Sequence, residues 1–320
     1  MKHTAVLQAC FAEHNVTLNL AGAHCRLRTN SLAVVESLAA FAAPEPQGPE
    51  LLLDVYATQA ADVREPAHFR GMGPFVIAEY GANVFLFDVA RRKVHAWITE
   101  AAARDREFWA EQWLPVIVGV AGIAAGVLPL HSACVVKNGR GVLIAGESMA
   151  GKSTFSVAMA KQGFELLSDD WTYIHRGINA LFARGFHLPV KLLPDAAAFF
   201  PELHELRPAP TLNGEIAYTA TAGRLGVECT AHCKIVAMLF LQRSTAGWPT
   251  FTIAEPEFAR AYVENSVERL PPELHELQRE RTRLIDGICQ LPSWHYQYCG
   301  VPSEGAASAA SFLNSIGGLL

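Results

Sequence analysis

Two groups of polar residues near the middle of this 320-residue chain have the types and spacing that phosphate chemistry requires. The first is Gly146–Ser153, which meets the pattern G-x-x-x-x-G-K-[ST]. The second is the adjacent pair Asp169 and Asp170, and His131 precedes both groups. Together they indicate a site that binds phosphates and places an acid or base next to them.

The glycine pattern predicts a loop that binds the phosphates of a nucleotide. Glycines let the backbone curl so that successive N–H groups point at phosphate oxygens. A following helix adds its free amides and the positive end of its dipole. Lys152 is then expected to reach the β- and γ-phosphates, and the Ser153 hydroxyl to ligate Mg²⁺. The expected nucleotide-binding residues are Gly146, Glu147, Ser148, Met149, Ala150, Gly151, Lys152, Ser153 and Thr154.

The elements around this pattern favour a phosphate loop over an ordinary turn that happens to contain Gly-Lys. Gly141–Ala145 is an apolar strand, and Ser153–Gln162 has the character of a helix that Gly163 would end. Phe164–Leu167 is the next predicted strand. A parallel β-α-β unit would return this strand beside the first. It would bring Asp169 and Asp170 to the same sheet edge as the phosphates.

Two adjacent carboxylates next to phosphates indicate activation of a substrate hydroxyl. One could hold Mg²⁺, while the other accepts the proton of the attacking hydroxyl. Neighbouring side chains on a strand point to opposite faces, so Asp169 and Asp170 are expected to face different ways. The alternative is that Asp170 is a solvated turn residue. His131 could orient one of the aspartates, or it could be a structural histidine at a helix–strand junction.

Three segments taken together resemble the catalytic domain of HPr kinase/phosphorylase and its relatives. They are His131-Ser132, Gly141–Thr154 and Gly163–Asp170. The resemblance implies an α/β fold with a P-loop kinase domain of the HPr-kinase type, whose core is shared with phosphoenolpyruvate carboxykinase. It also implies transfer of phosphate from ATP to a serine of a protein or peptide. The resemblance does not extend to the N-terminal region.

Roles follow from this resemblance position by position. Asp170 matches the proton acceptor, and His131 matches its partner near the reacting phosphate. Lys152 and Ser153 match the phosphate and Mg²⁺ ligands. Asp169 is expected near the metal, so the implied metal-associated residues are Ser153 and Asp169.

The sequence also departs from the family pattern. The family has a Glu-x-Arg-Gly segment whose glutamate supports the metal. Here Phe182 stands where that glutamate would be, in Phe182-Ala183-Arg184-Gly185. We therefore expect an acceptor other than HPr itself.

The composition excludes some partners. Hydrophobic residues make up 51% of the chain, and the net charge is −5 with a pI near 6.2, so no basic face for nucleic acid is expected. Seven scattered cysteines favour reduced thiols and a cytoplasmic location. The uncharged stretch Trp113–Leu130 approaches the length of a membrane span, but its small residues favour a buried helix.

We expect two domains. Residues 1–128 would form an N-terminal α+β accessory domain, with strands at Leu51–Tyr56, Phe75–Tyr80 and Val84–Val89. Residues 129–320 would form the P-loop catalytic domain. Within it, Pro210–Gly226 is predicted to be a long loop because it is rich in Thr and Gly.

Three functions are compatible with these patterns. The first is an ATP- and Mg²⁺-dependent kinase acting on a seryl hydroxyl of a protein or peptide. Such a kinase could assemble as a homo-oligomer. The second is a kinase for a small-molecule hydroxyl. The third is a non-catalytic ATP-binding regulatory protein. The sequence does not name the acceptor.

Overall fold

The computed structural model describes residues 12–39, 47–186, 188–211, 214–267, 274–316 and 320. They form a mixed α/β protein with several β-sheets. The chain divides into two compact units, Met1–Pro129 with Glu268–Arg283 and Leu130–Val267 with Leu284–Leu320. The glycine pattern, His131 and both aspartates belong to the second unit.

The first unit contains a seven-stranded sheet with the order β1-β2-β3-β7-β6-β5-β4. Its strands are β1 His14–Leu20, β2 Ala23–Thr29, β3 Gln47–Thr58, β4 His68–Met72, β5 Phe75–Tyr80, β6 Asn83–Asp88 and β7 Lys93–Thr99. Its helices are α1 Leu32–Ala39, α2 Glu100–Arg104, α3 Arg106–Phe108 and α4 Leu114–Ala121. The three strands predicted in this region are present; Phe75–Tyr80 has the predicted bounds, and the other two have shifted ends.

The turn between β5 and β6 shows how local sequence sets this sheet. Tyr80 pairs with Asn83, so the connection has two residues. Gly81 has φ +64°, and a Cβ there would stand 2.2 Å from the carbonyl oxygen of Val63. No other residue type fits that position without moving the backbone. The buried Asn83 amide then accepts the N–H of Thr99 and holds β7 in register.

One helical stretch, Arg106–Ala125, is long and apolar enough to cross a membrane by length and composition. It runs through α3, a π-helical turn at Trp109–Trp113, α4 and a 3₁₀ turn at Gly122–Ala125. Seventy-two per cent of its apolar window is buried within the protein. Trp109 and Trp113 are fully buried, as in the core helix of a globular domain.

The second unit is built on a nine-stranded sheet whose main path is β11-β9-β10-β17-β13-β12-β8. Its strands are β8 Val127–His131, β9 Ala133–Lys137, β10 Arg140–Ala145, β11 Glu165–Ser168, β12 Trp171–Arg176, β13 Leu181–Arg184, β17 His232–Arg243, β18 Thr250–Ile253 and β19 Ser293–Tyr298. A smaller sheet contains β14 Val190–Leu192, β15 Ala209–Pro210 and β16 Ile216–Ala220. The helices are α5 Lys152–Ala160, α6 Pro256–Asn265, α7 His275–Cys289 and α8 Pro302–Ser315, of which α7 belongs to the first unit up to Arg283.

Strand β10 lies between an antiparallel and a parallel neighbour. It pairs with β9 on one side and with β17 on the other. The prediction that Phe164–Leu167 returns directly beside β10 was therefore wrong, because both sides of β10 are taken. Strand β11 pairs with β9 instead, and Ser168 stands level with Cys134, which pairs with Leu143. The end of β11 still reaches the edge at which β10 ends.

The segment predicted as one long loop, Pro210–Gly226, contains a strand. Ile216–Ala220 forms β16 and pairs with β14 and with β15. Ile216, Tyr218 and Thr219 are β-forming residues, and the strand's partners exist only in the tertiary fold. Helices α5 and α8 enclose the main core, where Phe155 lies near the rings of Tyr296 and Tyr298. The six cysteines that the structure describes are free thiols.

Candidate functional site

The loop Gly146–Lys152, here called the glycine loop, follows β10 and opens α5. Three of its residues have positive φ: Gly146 at 150°, Met149 at 65° and Gly151 at 87°. A Cβ on Gly146 would stand 2.8 Å from the carbonyl oxygen of Leu241 in the neighbouring strand. Gly151 is the N-cap of α5, and no side chain caps that helix end. The first amides of α5 are therefore available to an anion.

Lys152 is folded back onto the glycine loop. Lys152 is buried, with only 7% of its surface exposed. The Nζ atom donates hydrogen bonds to the carbonyl oxygens of Gly146 and Glu147, each at 3.1 Å. Burial lowers the pKa of Lys152, and the charge of Asp170 opposes that shift. An ammonium has three N–H donors, so these two carbonyls leave one donor for a phosphate oxygen.

His131 and Asp170 form a close pair. The Nε2 atom of His131 lies 2.8 Å from Oδ1 of Asp170. The histidine ring also packs against Trp171, with centroids 5.5 Å apart and planes tilted by 37°. The side chains of His131 and Asp170 are 39% and 59% exposed, so the pair is open to an incoming group. The structure thus brings together the last residue of β8 and the residue just before β12.

Hydroxyl groups fix the chain on either side of the two aspartates. Thr172 Oγ1 donates to the carbonyl oxygen of Ser132 at 2.8 Å, and Ser168 Oγ lies 2.6 Å from Thr172 Oγ1. All three residues are buried. The end of β11 and the start of β12 are therefore tied to the residue that follows His131. This bonding limits how far Asp170 can move from His131.

Asp169, in the same bend between β11 and β12, makes a contact of its own, apart from the His131–Asp170 pair. Its Oδ2 atom accepts the backbone N–H of Lys191 at 3.2 Å. Burial of the carboxyl, followed by the charge of Asp170, raises the pKa of Asp169 to about 7. Within the described ranges, no three His, Cys, Asp or Glu side chains converge as a ready metal site.

The donors present nevertheless suit Mg²⁺. The carboxylates of Asp169 and Asp170 and the hydroxyl of Ser153 are oxygen ligands, which this cation prefers. Mg²⁺ at phosphate sites is held by one or two carboxylates together with substrate phosphates and water, and it needs no complete protein cage. A site without a prebuilt cluster of three side chains therefore fits the cation.

Tyr262, on α6, connects the glycine loop to His131, and the sequence analysis did not identify it. Its hydroxyl oxygen accepts the N–H of Gly146 at 3.2 Å and donates to the carbonyl oxygen of His131 at 2.9 Å. Burial raises the pKa of this phenol, which keeps it a donor. Its ring meets Phe240 edge to face at 5.3 Å. No local pattern marks a tyrosine so distant in sequence.

The residues of the Phe182–Gly185 segment occupy ordinary structural positions. Phe182 stacks between His175 and His232, at centroid distances of 5.8 and 6.0 Å. Arg184 is 6% exposed, and its charge acts on His175. Gly185 is required because a Cβ there would stand 2.0 Å from the carbonyl oxygen of Leu167. The position that would hold the family's glutamate is therefore part of an aromatic stack.

No family model matches the sequence, and no curated protein matches it. A solved structure, the Hpr(Ser) kinase/phosphatase from Coxiella burnetii, matches with 12% identity and a TM-score of 0.31. The match covers 59% of this chain and 99% of that chain. The protein thus has an HPr kinase/phosphatase as a distant structural neighbour.

Proposed function

We propose that this protein is a kinase that transfers the γ-phosphate of ATP to a hydroxyl group. One observation carries the proposal. The hydroxyl of Tyr262 lies within hydrogen-bonding distance of both the Gly146 amide and the His131 carbonyl. The loop suited to phosphates and the residue paired with Asp170 are therefore direct neighbours. A carboxylate beside a triphosphate site is the arrangement that phosphoryl transfer to a hydroxyl requires.

In the proposed reaction the chain mainly positions and stabilises charge. Amides of the glycine loop and the start of α5, with Lys152, bind the phosphates and stabilise negative charge in the transition state. The acceptor oxygen attacks the γ-phosphorus while the bond to the β,γ-bridging oxygen breaks, and ADP leaves. Asp170 takes the proton of the acceptor hydroxyl. His131 holds the Asp170 carboxylate in place through Nε2.

Ser153 and Asp169 are the residues we expect near Mg²⁺, with Asp170 close by. The cation would neutralise charge on the β- and γ-phosphates. The fold class that goes with this proposal is an HPr-kinase-type P-loop domain following an N-terminal accessory domain. Free thiols and the need for ATP support a cytoplasmic location.

The exposure of the pair favours an acceptor carried on a protein or peptide. More than half of the Asp170 side chain is exposed, and Trp171 lies beside its partner His131. A seryl hydroxyl on a macromolecule can approach such an open carboxylate. A site that encloses a small metabolite would bury these groups more completely.

A non-catalytic ATP sensor is the second candidate, and the position of Phe182 favours it. The aromatic stack stands where the resembled family has a metal-supporting glutamate. Weaker support of the metal would lower catalysis more than it lowers nucleotide binding.

The test is incubation with γ-labelled ATP and cell lysate, followed by detection of labelled protein. We expect Asp170→Asn to reduce transfer at least about 100-fold, since general-base contributions reach that size, while nucleotide still binds. Asp195→Asn, which changes an exposed aspartate in the same unit, is the matched control and should keep full transfer. Tight ATP binding without transfer by the unaltered protein would favour the sensor instead.

A further inference from the structure

Arg243 is the last residue of β17, and the pairing of that strand carries it to the glycine loop. Strand β17 runs parallel to β10, with Ala145 level with Phe240. The two strands therefore end at the same edge. The glycine loop leaves β10 directly after Ala145, and β17 continues three residues past Phe240 alongside it. Parallel neighbours present their final side chains at one edge, where ligands of such sheets bind.

The side chain of Arg243 lies against the far end of the glycine loop. A Cβ on Gly151 would stand 3.6 Å from Cδ of Arg243. That is ordinary van der Waals contact, so the arginine stem passes over the residue that caps α5. A guanidinium that leaves from Cδ at this point is within reach of an anion held by the first amides of α5.

The charge of Arg243 is not used elsewhere in the described part of the chain. Its side chain is exposed. Its described electrostatic neighbour is the Tyr298 phenol. Burial raises the pKa of Tyr298, and the charge of Arg243 partly opposes that rise. No described carboxylate pairs with Arg243, in contrast to Arg224, which pairs with Glu205. An exposed, uncompensated guanidinium beside inward-facing amides is suited to bind phosphate in a bidentate manner.

Lys152 leaves room for a second cation. Two of its three donors bind loop carbonyls, and the residue is almost fully buried. One lysine donor meets only part of the charge on a triphosphate. Arg243 stands at the other end of the glycine loop, beside Gly151.

We propose that Arg243 binds the β- and γ-phosphates of the nucleotide as a second cationic ligand of the glycine loop. This inference depends on the proposed function, because it assumes that the glycine loop binds a polyphosphate. Its chemistry is that of an arginine fork on terminal phosphate oxygens. The residue would increase affinity for polyphosphate without touching the base or ribose.

The experiment measures binding of Mg-ATP and of magnesium tripolyphosphate, which has no base or sugar, by calorimetry. Arg243→Gln should weaken both about tenfold or more, the size expected for a hydrogen bond to a charged group. Arg243→Lys should restore part of the affinity, because it keeps the charge and loses the fork. Arg176→Gln, at the exposed end of β12, is the matched control and should bind both ligands as the unaltered protein does.

The outcomes separate this inference from the proposed function. If the unaltered protein binds neither ligand, the proposed function fails and this inference fails with it. If it binds both and Arg243→Gln binds them equally well, only the role of Arg243 is overturned. Loss for Mg-ATP alone would put Arg243 on the base or ribose and would also overturn the inference. Unchanged thermal unfolding of each variant establishes that folding is not the cause.

Discussion

Two carboxylates, Asp54 in the first unit and Asp169 in the second, meet opposite environments. Asp54 has a side chain that is 2% exposed, between Arg28 and Lys93. Burial alone would raise its pKa, but hydrogen bonds and charge from these two cations outweigh burial and lower it. Asp169 has only a backbone amide as its described hydrogen-bond donor, and its pKa is raised to about 7. The first unit thus neutralises the charge of Asp54 within the fold. In the second unit the charge of Asp169 is not offset, at the position where the proposed function needs a cation.

The same contrast holds for cations. In the first unit, Arg26 pairs with Glu50, and Arg64 pairs with Asp62 and Asp105. In the second unit, cations away from the glycine loop are paired in the same way, as Arg224 is with Glu205. At the glycine loop, Lys152 donates hydrogen bonds only to loop carbonyls among its described partners, and Arg243 has no described carboxylate. Charges that satisfy one another stabilise a scaffold. Cations without a paired carboxylate beside free helix amides are what the proposed nucleotide site requires.

The largest stability effect is expected from Asp54→Ala. Removing this carboxylate leaves Arg28 and Lys93 facing each other without a counter-charge. The loss should be about 3 kcal/mol, the lower end of the range for broken buried pairs, since both cations reach solvent. Urea unfolding followed by tryptophan fluorescence measures it. Glu79→Gln breaks an exposed pair with Arg70 and should cost under about 1 kcal/mol. Equal effects of the two variants would contradict the comparison.

The second effect concerns His175, a buried group of the second unit without compensation. It is 4% exposed, and its Nδ1 has no hydrogen-bond partner in the described structure. Burial, then the charges of Arg184 and His232, lowers its pKa from 6.5 to about 4. The unfolded chain therefore binds a proton at higher pH than the folded chain. Stability contributed by neutral His175 is present above pH 6.5 and falls by about 3 kcal/mol as the pH drops to 4.

His175→Phe should remove this part of the acid loss, because phenylalanine keeps the ring beside Phe182 and cannot take up a proton. Denaturant unfolding at a series of pH values between 7 and 4 gives the difference between the variant and the unaltered protein. His204→Gln changes an exposed histidine and serves as the control. Parallel curves for His175→Phe and the unaltered protein would show that His175 is hydrated or charged in the fold.

The smallest effect is a gain. In the absence of nucleotide, Asp169→Asn should increase the free energy of unfolding by about 1 kcal/mol and so raise the melting temperature. An amide costs less to bury than a carboxylate, and its oxygen can still accept the Lys191 N–H. The same variant should lose labelled-phosphate transfer, as in other sites where stability and activity conflict. A drop in melting temperature would mean that Asp169 is compensated after all.

Local sequence predicted the parts of this molecule that depend on local geometry. The glycine loop needs glycine at Gly146 and Gly151 because of backbone angles and close neighbours, and the residue types show this directly. The strand β16 was missed because this short segment, which alternates β-formers with alanine, forms a strand only against β14 and β15. The intervening position of β9 was missed because a β-α-β pattern does not say which neighbours are already paired.

Residues from distant parts of the chain could not be found in this way. Tyr262 and Arg243 reach the glycine loop through α6 and the register of β17, and neither belongs to a motif. Arg243 could have been suspected, since it ends a long apolar strand beside β10, but that requires the strand order. The family resemblance named Phe182 as a departure, while only the structure shows what its ring contacts.

The phenolic oxygen of Tyr262 fixes how precisely the glycine loop is placed relative to His131. Because the Gly146 amide and the His131 carbonyl bond to the same oxygen, their separation depends on one atom and not on the fourteen residues of chain between them. Errors of position along β9 and β10 do not accumulate between the two. Helix α6, from outside the β-α-β core, thus sets the distance between the glycine loop and His131. Substitutions in α6 can change that distance without touching any reacting group.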